Sequence, residues 1–376
     1  MQQEKLYKSI KYRIFPTDLQ KEMLKHWFGA DRWIWNHLVK RVFNENYNSK
    51  DVNRFKLRDE ILNNGPEFVN RKTRTHVSDL LIDASVHKFI MNYNLYKTTK
   101  HKLKLKSKSS KNKSCVLNKK NDNTVRFEDG YLNMTTTKFY GRQTFKSNRK
   151  FNMDQKYIKQ IQFIKEYNDK YYICLIYEID RKNNTSNKKI GIDMGLKTYL
   201  TCYDGNNSVI EFRKDIENLS NKINKKKSIL SYHKKGSKRF KKCKKELLNL
   251  YKRLRNIKKD FIEKTTSYLV NNYNVINVDT FNFQFNSNVS HINKKKSILS
   301  PATFVLRLEQ KAKEYNCKVN IIPAGTPTTQ TCSSCGNVKS KDEKLTLNDR
   351  TYICNKCGYE EDRDINAAKN VFNYNS

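Results

Sequence analysis

Acidic residues are scarce in this chain. Its 376 residues carry 37 Asp and Glu against 76 Lys and Arg, a formal net charge of +39 that no acidic segment offsets. A lone chain of that charge repels itself, so a polyanion is expected as partner, nucleic acid first and anionic membrane second. Long apolar runs are lacking too. No stretch reaches the length of a membrane span, and the opening MQQEKLYKSIKYR has no signal-peptide core, so no membrane segment and no secretion are expected. Hydrophobic residues make up only 37%, yet 22 tyrosines and 19 phenylalanines supply large buried surface and stacking platforms. Also missing is any helix-turn-helix or finger array able to specify a long site alone. Five of the nine cysteines (Cys115, Cys174, Cys202, Cys243, Cys317) are isolated in sequence, which fits a reducing, intracellular compartment.

The other four form two Cys-x-x-Cys knuckles, Cys332/Cys335 and Cys354/Cys357, with 18 residues between them. Gly336 and Gly358 follow the second cysteine of each knuckle and let backbone amides turn toward the thiolates. A pair of disulfides is the bland alternative; the spacing favours one structural Zn²⁺, with every ligand position filled by protein and no water activated. After the second knuckle, Asp362-Arg363-Asp364-Ile365-Asn366-Ala367-Ala368 opens a helix on acids, with Ile365, Ala368 and Phe372 on one face. A capping role accounts for one aspartate but not for the tight Asp-Arg-Asp.

The combination CSSCG and NDRTYICNKCGYEEDRDINAA resembles the C-terminal end of the TnpB proteins of insertion-sequence transposons, relatives of the compact type V CRISPR effectors and of the Fanzor proteins. KYRIFPTDLQKEMLKHWFGADRWIWNHLVKR resembles the family's N-terminus, and Gly191-Ile192-Asp193-Met194-Gly195 resembles its GIDxG segment. The resemblance covers nearly the whole chain and is densest at 7–38, 188–205 and 300–370. It implies an α+β multidomain fold: an RNase H-like (RuvC) nuclease domain with an inserted four-cysteine zinc ribbon, a β-barrel wedge domain and a helical recognition lobe. The expected boundaries are 1–15 for the first wedge strand, 16–110 for the recognition lobe and 111–186 for the rest of the wedge. The nuclease domain with a basic helical hairpin follows at 187–325, the ribbon at 326–360 and a closing helix at 361–376.

Local patterns fill in that outline. Residues 7–15 alternate as a strand, Pro16-Thr17-Asp18 opens a helix, and Gly29 is expected to break it into a pair. The aromatics there read mainly as core, with base stacking as the other use. A helix is expected over 77–96, and the lysine- and serine-rich 98–120 reads as loop. Strands are expected at 124–127, 131–135, 159–164 and 171–179. An apolar strand then ends at Asp193, with two more strands after it. Residues 213–271 pattern as a basic hairpin sealed by Leu219, Ile223, Ile229, Leu247, Leu250 and Leu254, and Glu263 stands where the family usually has histidine. The strand 274–282 ends at Asp279, where most relatives carry glutamate, a side chain longer by about 1.5 Å. A Lys294–Lys296 cluster, a helix at 301–315 and a strand at 318–322 lead to the ribbon.

The resemblance makes Asp193, Asp279 and Asp364 the acids of a nuclease centre. Carboxylates beside apolar sheet residues need cations, and two Mg²⁺ about 3.5–4 Å apart would serve in-line phosphodiester hydrolysis. The expected function is an RNA-guided DNA endonuclease of TnpB type, with a guide RNA bearing a structured scaffold and double-stranded target DNA as partners. A heteroduplex of roughly 20 base pairs presents about 40 phosphates, a match in scale for the charge. A non-cleaving RNA-guided repressor and an RNA-independent transposase are the alternatives. Arg71, Lys72, Arg74 and His76 are either groove contacts or a solvated basic turn. The location would be cytoplasmic in a prokaryote, with nuclear access needed in a eukaryotic or viral setting.

Overall fold

Apolar and polar residues alternate through Leu6–Ile14 and make it a strand, β1, with Tyr12 and Ile14 buried. Helix α1 (Asp18–Val42) starts on a capping box: Thr17 Oγ1 accepts from Gln20 N at 3.3 Å, and Gln20 Oε1 accepts from Thr17 N at 3.1 Å. The computed structural model describes residues 5–43, 52–110, 112–119, 124–151, 154–167, 169–280, 297–346 and 349–374, and the chain divides into two compact units, 1–180 and 181–376.

In the first unit α1 runs without interruption through Gly29, contrary to the expected break. Glycine permits a bend but does not impose one, and Trp27, Ile34, Trp35 and Leu38 on both sides of it are buried. Helices α2 (Arg54–Asn64) and α3 (Asp79–Thr99) follow. The stretch expected as loop contains a strand, β2 (Lys113–Asn118), whose Cys115 and Leu117 are buried; the surrounding lysines mask this short alternation. The approach to β2 is also held: Asn36 donates to Lys106 O at 2.9 Å and accepts from Lys106 N at 2.7 Å. Then come β3 (Val125–Glu128), β4 (Tyr131–Thr135), β5 (Arg142–Phe145), β6 (Ile158–Lys165) and β7 (Tyr171–Ile179).

These strands form no closed barrel among the described residues. They make an antiparallel sheet in the order β1-β7-β6-β2 and a separate meander, β3-β4-β5, joined to it by a single bridge between Ile14 and Ser147. The N-terminal strand does join the sheet, beside β7, but β1 and β2 stay at opposite margins, and α1 and α3 pack against β2.

The second unit opens with β8 (Lys189–Met194), β9 (Leu200–Tyr203) and β10 (Asn207–Ile210). Helices α4 (Lys214–Ser231) and α5 (Lys238–Asn272) are the basic hairpin, sealed by Leu219, Ile223 and Leu247. Ile229 is exposed; its neighbour Leu230 takes the seam position instead. Strand β11 (Val275–Thr280), helix α6 (Pro301–Tyr315) and strand β12 (Lys318–Ile321) complete a sheet of order β10-β9-β8-β11-β12. Strands β8, β11 and β12 are parallel, whereas β9 and β10 run antiparallel to their neighbours. The Lys294–Lys296 cluster lies outside the described residues. Glu263 clamps α5 to α6 through Arg307 (2.7 and 3.0 Å) and Lys311 (3.0 Å). Last come β13 (Thr351–Ile353), β14 (Glu360–Asp362) and α7 (Arg363–Asn373).

Candidate active site and metal centre

Strand β8 is apolar until its end: Ile190 and Ile192 are buried, and Asp193 follows, half-buried. Strand β11 repeats the pattern with Ile276, Val278 and then Asp279. The parallel register sets Asp279 directly opposite Asp193. The strand order also reverses at β8, with β9 and β10 on one side and β11 and β12 on the other. The carboxyl ends of strands at such a switch point are where open α/β sheets leave a crevice for ligands.

The third acid arrives on α7. This helix lies so close to β8 that a Cβ on Gly191 would stand 2.3 Å from Phe372 N and 2.5 Å from Ala368 O. Only glycine fits there. Buried Asn277 of β11 donates to Val371 O (2.9 Å) and Tyr374 O (2.8 Å), satisfying carbonyls at the end of α7 that the helix leaves open. At the other end Asp362 is the N-cap, accepting from Asp364 N (2.9 Å) and Ile365 N (3.1 Å). That fixes Asp364 in the first turn, where Arg363 donates to Oδ1 at 3.1–3.2 Å.

The electrostatics report crowding of like charge. Burial, then the Asp279 and Asp364 carboxylates, push Asp193 well above the usual carboxylate range. Burial also raises Asp279, with the Thr328 hydroxyl, which donates to Oδ2, pulling the other way. An all-oxygen, acidic donor set of this kind suits a hard divalent cation such as Mg²⁺. The three carboxylates are not all gathered within 4.8 Å of one another; Thr328 engages Asp279 and Arg363 engages Asp364.

The four cysteines are gathered that tightly, and among the described residues theirs is the cluster whose ligand atoms all lie within 4.8 Å. Cys332 and Cys357 sulfurs are 3.8 Å apart, and those of Cys335 and Cys354 3.7 Å. A tetrahedron with Zn–S arms of about 2.3 Å has edges of about 3.8 Å, so the donor set fits zinc, and the separations are too long for disulfide bonds. The knuckles are built alike. Gly336 and Gly358 adopt φ of +74° and +72°, and each donates to the carbonyl of its first cysteine at 2.9 Å. Backbone N–H groups of Cys357 and Lys356 lower the Cys354 thiol to about 6, favouring the thiolate a metal requires.

Four polar side chains not singled out above tie β11, the ribbon and α7 together. Thr328 touches Asp279; Asn370 donates to the carbonyls of Thr328 (2.8 Å) and Thr331 (2.6 Å). Asn366, fully buried, accepts from Ser333 N at 2.9 Å and donates to Thr331 O at 2.8 Å. Asn277 is the fourth. An amide inside the apolar run Val275-Ile276-Asn277-Val278 was a visible signal, because a buried amide needs partners; nothing marked Thr328.

The expected nucleic-acid contacts divide. Arg71 and Lys72 are exposed. Arg74 is mostly buried and donates to Asp79 at 2.7 Å and to Val69 O. His76 packs among His26, Phe139 and Tyr140. For Arg74 and His76 the structure thus displays a packing role in unit one.

The second unit is a mixed sheet with acids at its switch point, closed by a four-cysteine ribbon and a final helix. In fold the chain is similar to a Cas12f1 solved in a complex with single-guide RNA and target DNA: TM-score 0.64 over 98% of this chain and 99% of that one, at 13% identity. A mini-RNA-guided endonuclease, Cas-phi3, is similar at TM-score 0.52 and 8% identity over 98% and 92% of the two chains. Family models described as "Cas12f1-like, TNB domain", "Probable transposase" and "Helix-turn-helix domain" match residues 302–371, 172–289 and 1–50. Over the described part of that last range, residues 5–43, the chain forms a strand and one uninterrupted helix. The chain is 27% identical to a TnpB-like protein of Acanthamoeba polyphaga mimivirus over 96% of its own length and 72% of the viral protein's. The transposase-type family models, the TnpB-like relatives and the Cas12f1-like fold together support a place for this chain in the TnpB family.

Proposed function

We propose that this protein is an RNA-guided DNA endonuclease of TnpB type, with Asp193, Asp279 and Asp364 as its catalytic cation ligands. The observation that carries the reading is the in-register pairing of Asp193 with Asp279 on parallel strands, beside the first turn of α7. When bound, two Mg²⁺ supply water activation and stabilisation of the leaving 3′ oxygen. The protein's own part is positional. Strand β8 and strand β11 aim two carboxylates from a rigid sheet, and Arg363 and Thr328 orient the acids they touch. In-line hydrolysis then leaves a 5′ phosphate. On this reading the second unit is the RuvC-type nuclease with its zinc ribbon, and the first combines a recognition lobe for the target duplex and its adjacent motif with a wedge that grips the RNA scaffold. Arg71 and Lys72 are the candidates for contact with the duplex motif beside the target, and the protein works wherever its guide and target meet, inside the cell.

The test is cleavage by protein purified free of RNA, supplied with Mg²⁺ and duplex DNA, with and without co-expressed guide RNA. Guide-matched cutting only with RNA supports the reading. Site-specific cutting without RNA replaces it with the transposase. Guide-dependent binding with no cutting replaces it with a repressor, the alternative that the short Asp279 keeps in view.

A further inference from the structure

The chain's three tryptophans are not alike. Trp27 and Trp35 are buried, and each indole N–H donates at 2.9 Å to a main-chain carbonyl, of His76 and Lys104. Trp33 is half-buried. It stacks on His37 with ring centroids 4.8 Å apart, meets Phe68 edge-on at 5.6 Å, and its N–H has no hydrogen-bond partner among the described residues. On a half-buried ring that leaves the N–H open to solvent or to a ligand.

Trp33 borders a cavity of about 940 Å³ in the first unit. Lys25 and Arg32 of α1 line it, as do Lys108 and Lys113 on the approach to β2 and at its start. None of these four cations has an ion-pair partner among the described residues. The single acid in the lining, Asp31, is spent inside the protein on Lys106 at 2.7 Å and Ser85 at 3.0 Å. The cavity is therefore strongly positive beside an aromatic wall. Gly29 adds an independent observation. It sits in the middle of α1, where glycine weakens a helix, and nothing stands within 4 Å of the Cβ it lacks. No packing demand explains it, and its place in the cavity wall leaves room for something other than protein.

We propose that this cavity takes one unstacked nucleotide of a bound strand, its base against Trp33 and Phe68 and its phosphates on Lys25, Arg32, Lys108 and Lys113. A planar ring bearing anionic groups is the ligand that answers both walls, and the volume lies in the range of sites enclosing such ligands, ~300–1,000 Å³. Stacking is tolerant of base identity, so the site holds a strand in position without reading its sequence. The inference rests on the nucleic-acid reading above, and either an RNA or a DNA strand can supply the nucleotide.

The test uses the full chain with two short single-stranded probes, an RNA carrying one 4-thiouridine and a DNA carrying one 4-thiothymidine. After irradiation an adduct is expected on the tryptic peptide spanning residues 33–40, and whichever probe gives it names the source. Gly29→Leu fills the cavity where no atom opposes it, and Lys108→Glu reverses a charge on an exposed segment away from any core. Each should weaken binding of the adduct-forming probe about tenfold and remove the adduct. Adducts confined to other peptides, or unchanged binding and crosslinking by both variants, overturn the nucleotide site while leaving the guided-nuclease reading standing. Failure of the chain to bind either probe overturns both.

Discussion

Asp279 stands where the family resemblance leads one to expect glutamate, a methylene longer, and its carboxyl accepts from the Thr328 hydroxyl. If the three acids share cations, Asp193→Ala, Asp279→Ala and Asp364→Ala each remove Mg²⁺-dependent cleavage by about three orders of magnitude or more, with nucleic-acid binding retained. Asp279→Glu holds or raises activity. Parallel cleavage and gel-shift assays check this, and near-normal cutting by Asp279→Ala takes that residue out of the centre. Glu263 makes a different kind of prediction. Burial alone would raise its carboxyl, but Arg307 and Lys311 hold it below its ordinary value. Its contribution to stability is therefore present above the unfolded carboxylate's pKa and lost as pH falls through the lower folded value. Glu263→Gln should cost about 1–2 kcal/mol at pH 7, and the gap to the parent should close below about pH 4 in denaturant melts. A gap unchanged across that range would show that the clamp acts by shape and not by charge. The acids and cysteines were legible in the sequence because their residue types announce their chemistry. Asn366, Asn370 and Thr328 were not, since an amide or hydroxyl acquires meaning only from its partners; Asn277 alone stood out, as an amide inside an apolar run.

At the scale of elements, α7 decides whether the centre exists. Its seat is the bare backbone of Gly191, so Gly191→Ala should lever the helix off β8. Overpacking of this kind costs about 1–3 kcal/mol; cleavage should drop by far more than stability, and zinc content should stay at one per chain, as measured by elemental analysis alongside kinetics. The ribbon predicts the converse. Cys332→Ser or Cys354→Ser should lose the zinc and, through Asn366, Asn370 and Thr328, disturb Asp279 and α7 as well, lowering cleavage. Cleavage that survives zinc loss would uncouple the two centres. Elements with strong patterns were legible: α6 and β7 fall where periodicity puts them. β2 was hidden because six residues of alternation drown in lysines, and the barrel failed because pairing between distant strands leaves no local mark.

For the whole molecule, charge is the dominant fact. With +39 to neutralise, binding to RNA should be strongly salt-dependent, falling at least about a thousandfold between 50 and 200 mM salt if six or more phosphates are contacted. A slope near zero in filter binding would mean that the lysines of α4 and α5 are an ordinary solvated face. The close docking of α7 on Gly191 also has a consequence in time. Asp193 and Asp364 are separated by about 170 residues of chain, a long loop to close before any contact rewards the closure. The helical hairpin and the knuckles need only neighbours along the chain and can form early. On dilution from denaturant, helical signal and metal uptake should therefore return first and, on the nuclease reading, cleavage last, so that a refolding chain would grip nucleic acid before it could cut it.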